Sequence, residues 1–285
     1  MSPHSSSRQG LPEVAPDPLP IDVVDNHVHL DIGRDGAEPL AVGEAIRRAR
    51  AVGVTRLVQV GCDLDAIEFT VEAVDRFPEV LGAVALHPNE VPRLASAGTL
   101  SAAYDVVERA AGHERVRAVG ETGLDYFRTG PDGVAVQQEA FRWHIDLAKR
   151  LGKALQIHDR DAHDDVLRVL EEEGAPDRTV LHCFSGDLPM ARECVERGYY
   201  LSFAGTVTFK NARALRDALS VTPLSQVLVE TDAPYLTPSP HRGATNASFL
   251  VPHTIRAMAT ALNVDVPTLC TAVSDNSERI YGPWS

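Results

Sequence analysis

From residue 21 to the end, short apolar runs alternate with longer amphipathic stretches. The runs are IDVVDNHVH (21–29), TRLVQVGC (55–62), VLGAVALH (80–87), VRAVGET (116–122), ALQIH (154–158), TVLHCF (179–184), YYLSFAG (199–205) and QVLVETD (226–232). They are rich in Val, Leu and Ile and mostly do not alternate with polar residues, the pattern of strands covered on both faces. Helices are predicted over 41–52, 64–76, 99–112, 133–151, 161–173, 187–197, 210–219, 247–262 and 265–281. Gly53, Gly112, Gly152, Gly174 and Gly198 each follow such a stretch, where a left-handed cap favours glycine. Eight strand-then-helix units predict an α/β fold, a (β/α)8 barrel in a single domain. An open doubly wound sheet would carry a GxGxxG turn after its first strand, and the sequence has none there.

Residues 1–20 are rich in Ser and Pro and lack periodicity, so they are expected to form a disordered leader, with the barrel over 21–285. No run of about 20 apolar residues exists, which argues against a membrane span. Without an apolar signal core either, a cytoplasmic location is expected. Cys62, Cys183, Cys194 and Cys270 form no CxxC pair and fit reduced thiols. The balance of 27 basic against 40 acidic residues gives a net charge of −13. Long-range attraction to a polyanion is therefore absent, and local cations must hold any nucleic-acid substrate.

The polar residues that interrupt the apolar runs fall at the C-terminal ends of strands. Strand one ends in Asp25-Asn26-His27-Val28-His29, strand four at Glu121, strand five at His158, strand six at His182 and strand eight at Glu230-Thr231-Asp232. In a barrel these ends converge on the face that carries active sites. Ionisable groups at buried strand tips are unfavourable without partners. Four histidines and two carboxylates cannot satisfy one another by hydrogen bonds alone, whereas divalent cations coordinate both ligand types. Six donors exceed the need of one tetrahedral ion, so His27, His29, Glu121, His158, His182 and Asp232 are read as ligands of two divalent ions. His87, Arg128, Arg160, Lys210 and Arg242 follow strand ends and are candidate phosphate contacts. Cys183 should face away from His182 and pack, and Trp143 and the phenylalanines suit core positions. His144 and His163 fall in helices as packing or surface residues.

The stretches DNHVHLD (25–31), ALHPNE (85–90), VGETGLDYFR (119–128), QIHDRDA (156–162), LHCFSG (181–186), GTVTFKNA (205–212) and VETDAPYLTP (229–238) resemble the TatD family of metal-dependent deoxyribonucleases, in its order and spacing. The resemblance implies a TIM barrel of the metallo-dependent hydrolase superfamily. It assigns His27, His29 and Asp232 to a first metal, His158 and His182 to a second, and Glu121 to the bridge. It also implies hydrolysis of DNA phosphodiesters, as an exonuclease, by water activated between two ions, with Asp232 taking the proton and Glu121 and Asp232 as catalytic carboxylates. The cofactors are then two divalent ions (magnesium, manganese or zinc). DNA is the substrate, with no membrane and no obligate protein partner. One stretch departs from the family: its Arg-Gly-x-x-Asn-Glu-Pro segment here reads Arg242-Gly243-Ala244-Thr245-Asn246-Ala247-Ser248. Two other functions compete. One is an ester or amide hydrolase on the same barrel, such as a D-aminoacyl-tRNA deacylase. The other is a non-catalytic metal or nucleic-acid binding module, for which no basic stretch interleaved with aromatics is present. The carboxylated lysine that bridges metals in other branches has no counterpart, since Lys153 precedes its strand.

Overall fold

The computed structural model describes residues 10–284. Eight parallel strands run in sequence order: β1 (Val23–Val28), β2 (Val54–Gly61), β3 (Val80–Val84), β4 (Val116–Asp125), β5 (Ala154–Arg160), β6 (Thr179–Leu181), β7 (Tyr200–Phe203) and β8 (Val227–Val229). The Val28–Ala233 bridge and the Asp232 N–H to His27 carbonyl bond of 3.0 Å join the last strand to the first and close the barrel. Around it lie α1 (Val42–Arg50), α2 (Leu64–Arg76), α3 (Val91–Ser96), α4 (Leu100–Ala111), α5 (Pro131–Leu151), α6 (His163–Glu173), α7 (Leu188–Glu196), α8 (Arg213–Val221), α9 (Val251–Leu262) and α10 (Val266–Tyr281). Among the described residues no helix is long and apolar enough to cross a membrane.

Local chemistry explains the helix boundaries. The side chains of Asp63, Asp187 and Asp265 accept the N–H of Ala66, Met190 and Thr268 at 2.8, 3.0 and 2.7 Å, satisfying orphan donors at the starts of α2, α7 and α10. Gly53, Gly152, Gly174 and Gly198 have positive φ, as expected of glycines after helices. Gly112 does not: its φ is −69°, because the chain continues α4 with one more right-handed turn, His113 N–H to Ala110 carbonyl. Helix α3 is too short, at 6 residues, to leave a periodic signal and was not anticipated.

Two layers of core hold the barrel. Facing the axis are Val24, Val58, Val60, Leu81, Ala83, Ala118, Ala154, Val180 and Leu228, small side chains from seven of the eight strands. Between strands and helices lie larger ones; Phe141, Ile145 and Leu147 of α5 are fully buried. Each such burial contributes roughly 1.5–3 kcal/mol. At the N-terminal ends of the strands, the base, Tyr281 and Trp284 close the axial core. There Lys153 donates to the carbonyls of Ala111, His113 and Val116, and Arg115 to those of Val74, Pro78, Val80 and Trp284.

Of the leader expected over 1–20, the structure describes residues 10–20. Residues 1–9 lie outside the described residues; 10–20 form no helix or strand and are mostly exposed, with a few anchoring contacts. Leu19 is buried at the base, its N–H on the Val52 carbonyl. Pro12 and Asp17 carbonyls accept from Arg48 and Arg256, and the Gly10 carbonyl accepts the Thr245 N–H on the opposite, C-terminal face.

Candidate metal centre

Glu121, in β4, stands at the middle of the C-terminal face, the mouth of the barrel. Its neighbour strand comes close because of Gly123, whose φ is +137° and where a Cβ would lie 2.1 Å from the His158 carbonyl oxygen. No other residue fits there, and β4 and β5 thus pair with Gly123 opposite His158. The two oxygens of Glu121 then serve different neighbours. Oε2 lies 3.5 Å from His27 Nε2 and 3.9 Å from His29 Nε2; Oε1 lies 2.6 Å from His158 Nδ1 and 2.8 Å from His182 Nε2. Asp232 Oδ1 completes the first group, 3.5 Å from His29 Nε2 and 4.0 Å from His27 Nε2. The six residues read as ligands therefore meet in one cluster, split in two by a carboxylate. The donor atoms of His27, His29 and Asp232 lie close enough to one another to share an ion, as do those of His87, Glu121 and His158.

Further side chains fix which nitrogen faces the cluster. His29 Nδ1 meets the Val60 carbonyl at 3.0 Å, leaving Nε2 inward. His182 Nδ1 is 3.3 Å from Glu230 Oε1, and Glu230 is itself held by the Cys183 N–H at 2.7 Å. His158 Nε2 is 3.3 Å from Asp125, which also accepts from Asn89 Nδ2 at 2.9 Å. Such carboxylate–histidine pairs orient metal ligands. Asp25, beneath, accepts from the Thr231 N–H and hydroxyl at 2.8 and 2.6 Å, and burial pushes its carboxyl up to about 6. Glu230 and Asp125 went unassigned from the sequence. Their only signal was a second acid at a buried strand tip, two residues before Asp232 or four after Glu121.

Electrostatics follow the same partition. Burial opposes the charged form of Glu121, but His182, His87 and His158 outweigh it and hold the carboxyl well below its usual range. Asp232 is likewise held low, against burial, by His29, His182 and His27. His182 is raised against burial by Glu121 and Glu230, whereas burial and His182 push His27 down. Both ring nitrogens of His27 are buried without a hydrogen-bond partner. A neutral, unpartnered imidazole among ionised carboxylates is a ligand set suited to divalent cations.

The mouth opens into a cavity of about 540 Å³. Of the candidate phosphate contacts, His87, Arg128 and Arg160 line it, with Asn89, Tyr235 and both Cys62 and Cys183. Lys210 and Arg242 do not; the Arg242 guanidinium lies 4.4 Å from the Phe209 ring centroid instead. Cys183 thus faces the cavity rather than the packing side. Strand β6 ends at Leu181, and Cys183 has φ +42°, so strand alternation no longer applies. Phe127 is 61% exposed, against the core position expected of phenylalanines. His144 is buried packing: Nδ1 meets the Ala140 carbonyl at 2.7 Å and Nε2 accepts the Leu86 N–H at 3.1 Å. His163 is a surface residue paired with Asp159.

Residues 24–282 match the family described as TatD related DNase. An uncharacterized metal-dependent hydrolase TatD of Mycobacterium tuberculosis is 48% identical over 265 residues, 91% of this chain and 98% of that protein. An uncharacterized metal-dependent hydrolase YcfH of Escherichia coli is 38% identical, over 91% and 95% of the two chains. The crystal structure of the TatD homologue YjjV from Escherichia coli superposes with a TM-score of 0.78 at 25% identity, covering 92% of this chain and 98% of the other. A motif match across nearly the whole barrel and a relative close to half identical along it leave no other assignment: the chain belongs to the TatD-related DNase family.

Proposed function

We propose that the protein is a cytoplasmic metal-dependent hydrolase that cleaves DNA phosphodiester bonds from strand ends. The observation that carries this reading is the Glu121 carboxylate, one oxygen toward His27 and His29, the other toward His158 and His182. Six nitrogen and oxygen donors would suit two divalent cations of the magnesium, manganese or zinc type: His27, His29 and Asp232 would hold one, His158 and His182 the other, and Glu121 would contribute to both. When bound, such a pair lowers the pKa of water toward neutrality and offsets charge on phosphoryl oxygens. The relatives named as metal-dependent hydrolases support the same reaction class.

The chain's own groups supply the rest. In hydrolysis a water oxygen bonds to phosphorus, the ester P–O bond breaks and the leaving oxygen takes up a proton. Asp232, held ionised by its histidines, takes the proton lost by the water. The His87 Nδ1 accepts the Asn89 N–H at 3.0 Å, which leaves Nε2, 3.5 Å from Glu121 Oε1, as the ring nitrogen for contact with a phosphoryl oxygen. Arg128 and Arg160 line the cavity and pair with no carboxylate among the described residues, giving local positive charge to a protein of net −13.

Incubation of 5′-labelled oligonucleotides with the protein and each divalent ion tests the reading, with a D-aminoacyl-tRNA assay alongside. Stepwise shortening of DNA is expected, and His182→Ala should abolish it while circular dichroism stays unchanged. Deacylation without DNA cleavage would replace the substrate; persistent cleavage by the variant would overturn the ligand set.

A further inference from the structure

Cys62 comes one residue after β2 and lines the mouth cavity together with His29 and Glu121. The backbone around it is fixed. Gly61 lets α2 approach closely, since a Cβ there would lie 2.6 Å from the Ala66 carbonyl oxygen. Asp63 caps the same helix through the Ala66 N–H, and the Cys62 carbonyl accepts the His87 N–H at 2.9 Å.

The thiol has company of the right chemistry. Cys62 Sγ lies 3.9 Å from His29 Nδ1. Sγ, one ring nitrogen of His29 and one oxygen of Glu121 all fall within 4.8 Å of one another. Sulfur and nitrogen bound to one tetrahedral cation stand about 3.6 Å apart, given bonds of ~2.3 and ~2.0 Å. The three donors are therefore roughly an ångström from sharing an ion. His29 Nδ1 is on the Val60 carbonyl, so Nε2 is the nitrogen on offer, and it also stands 3.5 Å from Asp232 Oδ1. Beside them His27, fully buried and with both ring nitrogens unpartnered, faces Glu121 Oε2 at 3.5 Å. The space that the thiol borders thus has lone pairs to spare.

We propose that Cys62, His29 and Glu121 form a capture site for a soft, thiophilic divalent cation, which excludes an ion at His27, His29 and Asp232. Nitrogen and oxygen donors discriminate little among divalent ions, whereas a thiolate selects soft ones. As such a cation binds, the thiol proton passes to solvent. The two sites compete because both draw on His29 Nε2, and a soft ion lodged at Cys62 stops hydrolysis. The competition rests on the two-ion reading above; the sulfur contact does not.

The test is titration of the manganese-loaded full chain with cadmium, in a reductant that binds no metal. Cadmium on a thiolate absorbs in the ultraviolet by sulfur-to-metal charge transfer, and released manganese regains its paramagnetic resonance signal in solution. Both signals are expected to rise together in wild type. Cys62→Ser should abolish the band and raise the cadmium needed for release by more than about tenfold, the least that losing even an outer partner of a metal ligand costs. Cys183→Ser should keep the band, although its thiol also lines the cavity. No band in wild type, or a band that survives Cys62→Ser, overturns the proposal. A band without manganese release would refute the exclusion. Failure of manganese to bind at all would sink the two-ion reading, and the band would still decide the sulfur contact.

Discussion

At the base of the barrel, Lys153 reaches three carbonyls and Arg115 four, so all three ammonium hydrogens and four of the five guanidinium hydrogens are spent within the chain. At the mouth, both nitrogens of His27, His158 Nε2, His182 Nδ1 and Glu230 Oε2 are buried without an aligned hydrogen bond. His158 Nε2 and His182 Nδ1 come within ion-pair range of Asp125 and Glu230, each at 3.3 Å; His27 has only carboxylates at 3.5 Å or more. The base is not free of exceptions, since Arg117 Nε is also unpartnered. The contrast is one of sign and density. Cations at the base meet carbonyls, whereas the mouth concentrates imidazoles and carboxylates whose remaining lone pairs point at one another. Buried polarity that closes on itself stabilises a fold; buried polarity left open binds something.

The contrast breaks if stability and binding do not separate between the two ends. Arg115→Ala should cost the most, about 4 kcal/mol of unfolding free energy, because it strands several carbonyls. Urea titration would measure it, and hydrolysis per folded molecule should not change. A loss of turnover instead would show that the base is coupled to the site.

Next comes acid sensitivity at His144, a histidine that is satisfied where His27 is not. Burial pushes its pKa down to about 4 from an ordinary 6.5. The unfolded chain therefore takes the proton first as pH falls. This contribution is complete above pH 6.5 and is lost between 6.5 and 4, about 3 kcal/mol in all. A His144→Gln variant should lack that part of the pH slope in denaturation midpoints. Equal slopes in both proteins would refute the assignment.

The smallest effect is expected at Glu230→Gln. It keeps an acceptor for His182 but removes the charge, and ion affinity should fall about tenfold. Competition with a chelating dye reads this directly, with Arg115→Ala as the base-end counterpart that leaves affinity intact. Unchanged affinity in Glu230→Gln would make Glu230 a structural group like those at the base.

Strand tips were legible because apolar runs broken by His27, Glu121, His158, His182 and Asp232 are rare in a buried sheet, and those five with His29 do converge. What lay just beyond the strands was not. β6 and β8 are each 3 residues long, and Cys183 and Asp232 adopt left-handed φ of +42° and +54°. Past such residues, side-chain direction no longer follows from spacing, which is why Cys183 faces the cavity. Gly112 misled in the other direction: its position after a helix suggested a turn the backbone does not make.

The segment 10–20 ties the two ends of the molecule to its chain termini in an unequal way. Its beginning lies against the 242–248 loop beside the opening, while Trp284 sits at the closed end. Bulk attached at Gly10 itself would stand next to the entrance and crowd it. Attachment after Trp284 places the same bulk on the far side, which makes the C-terminus the side for tagging or surface immobilisation.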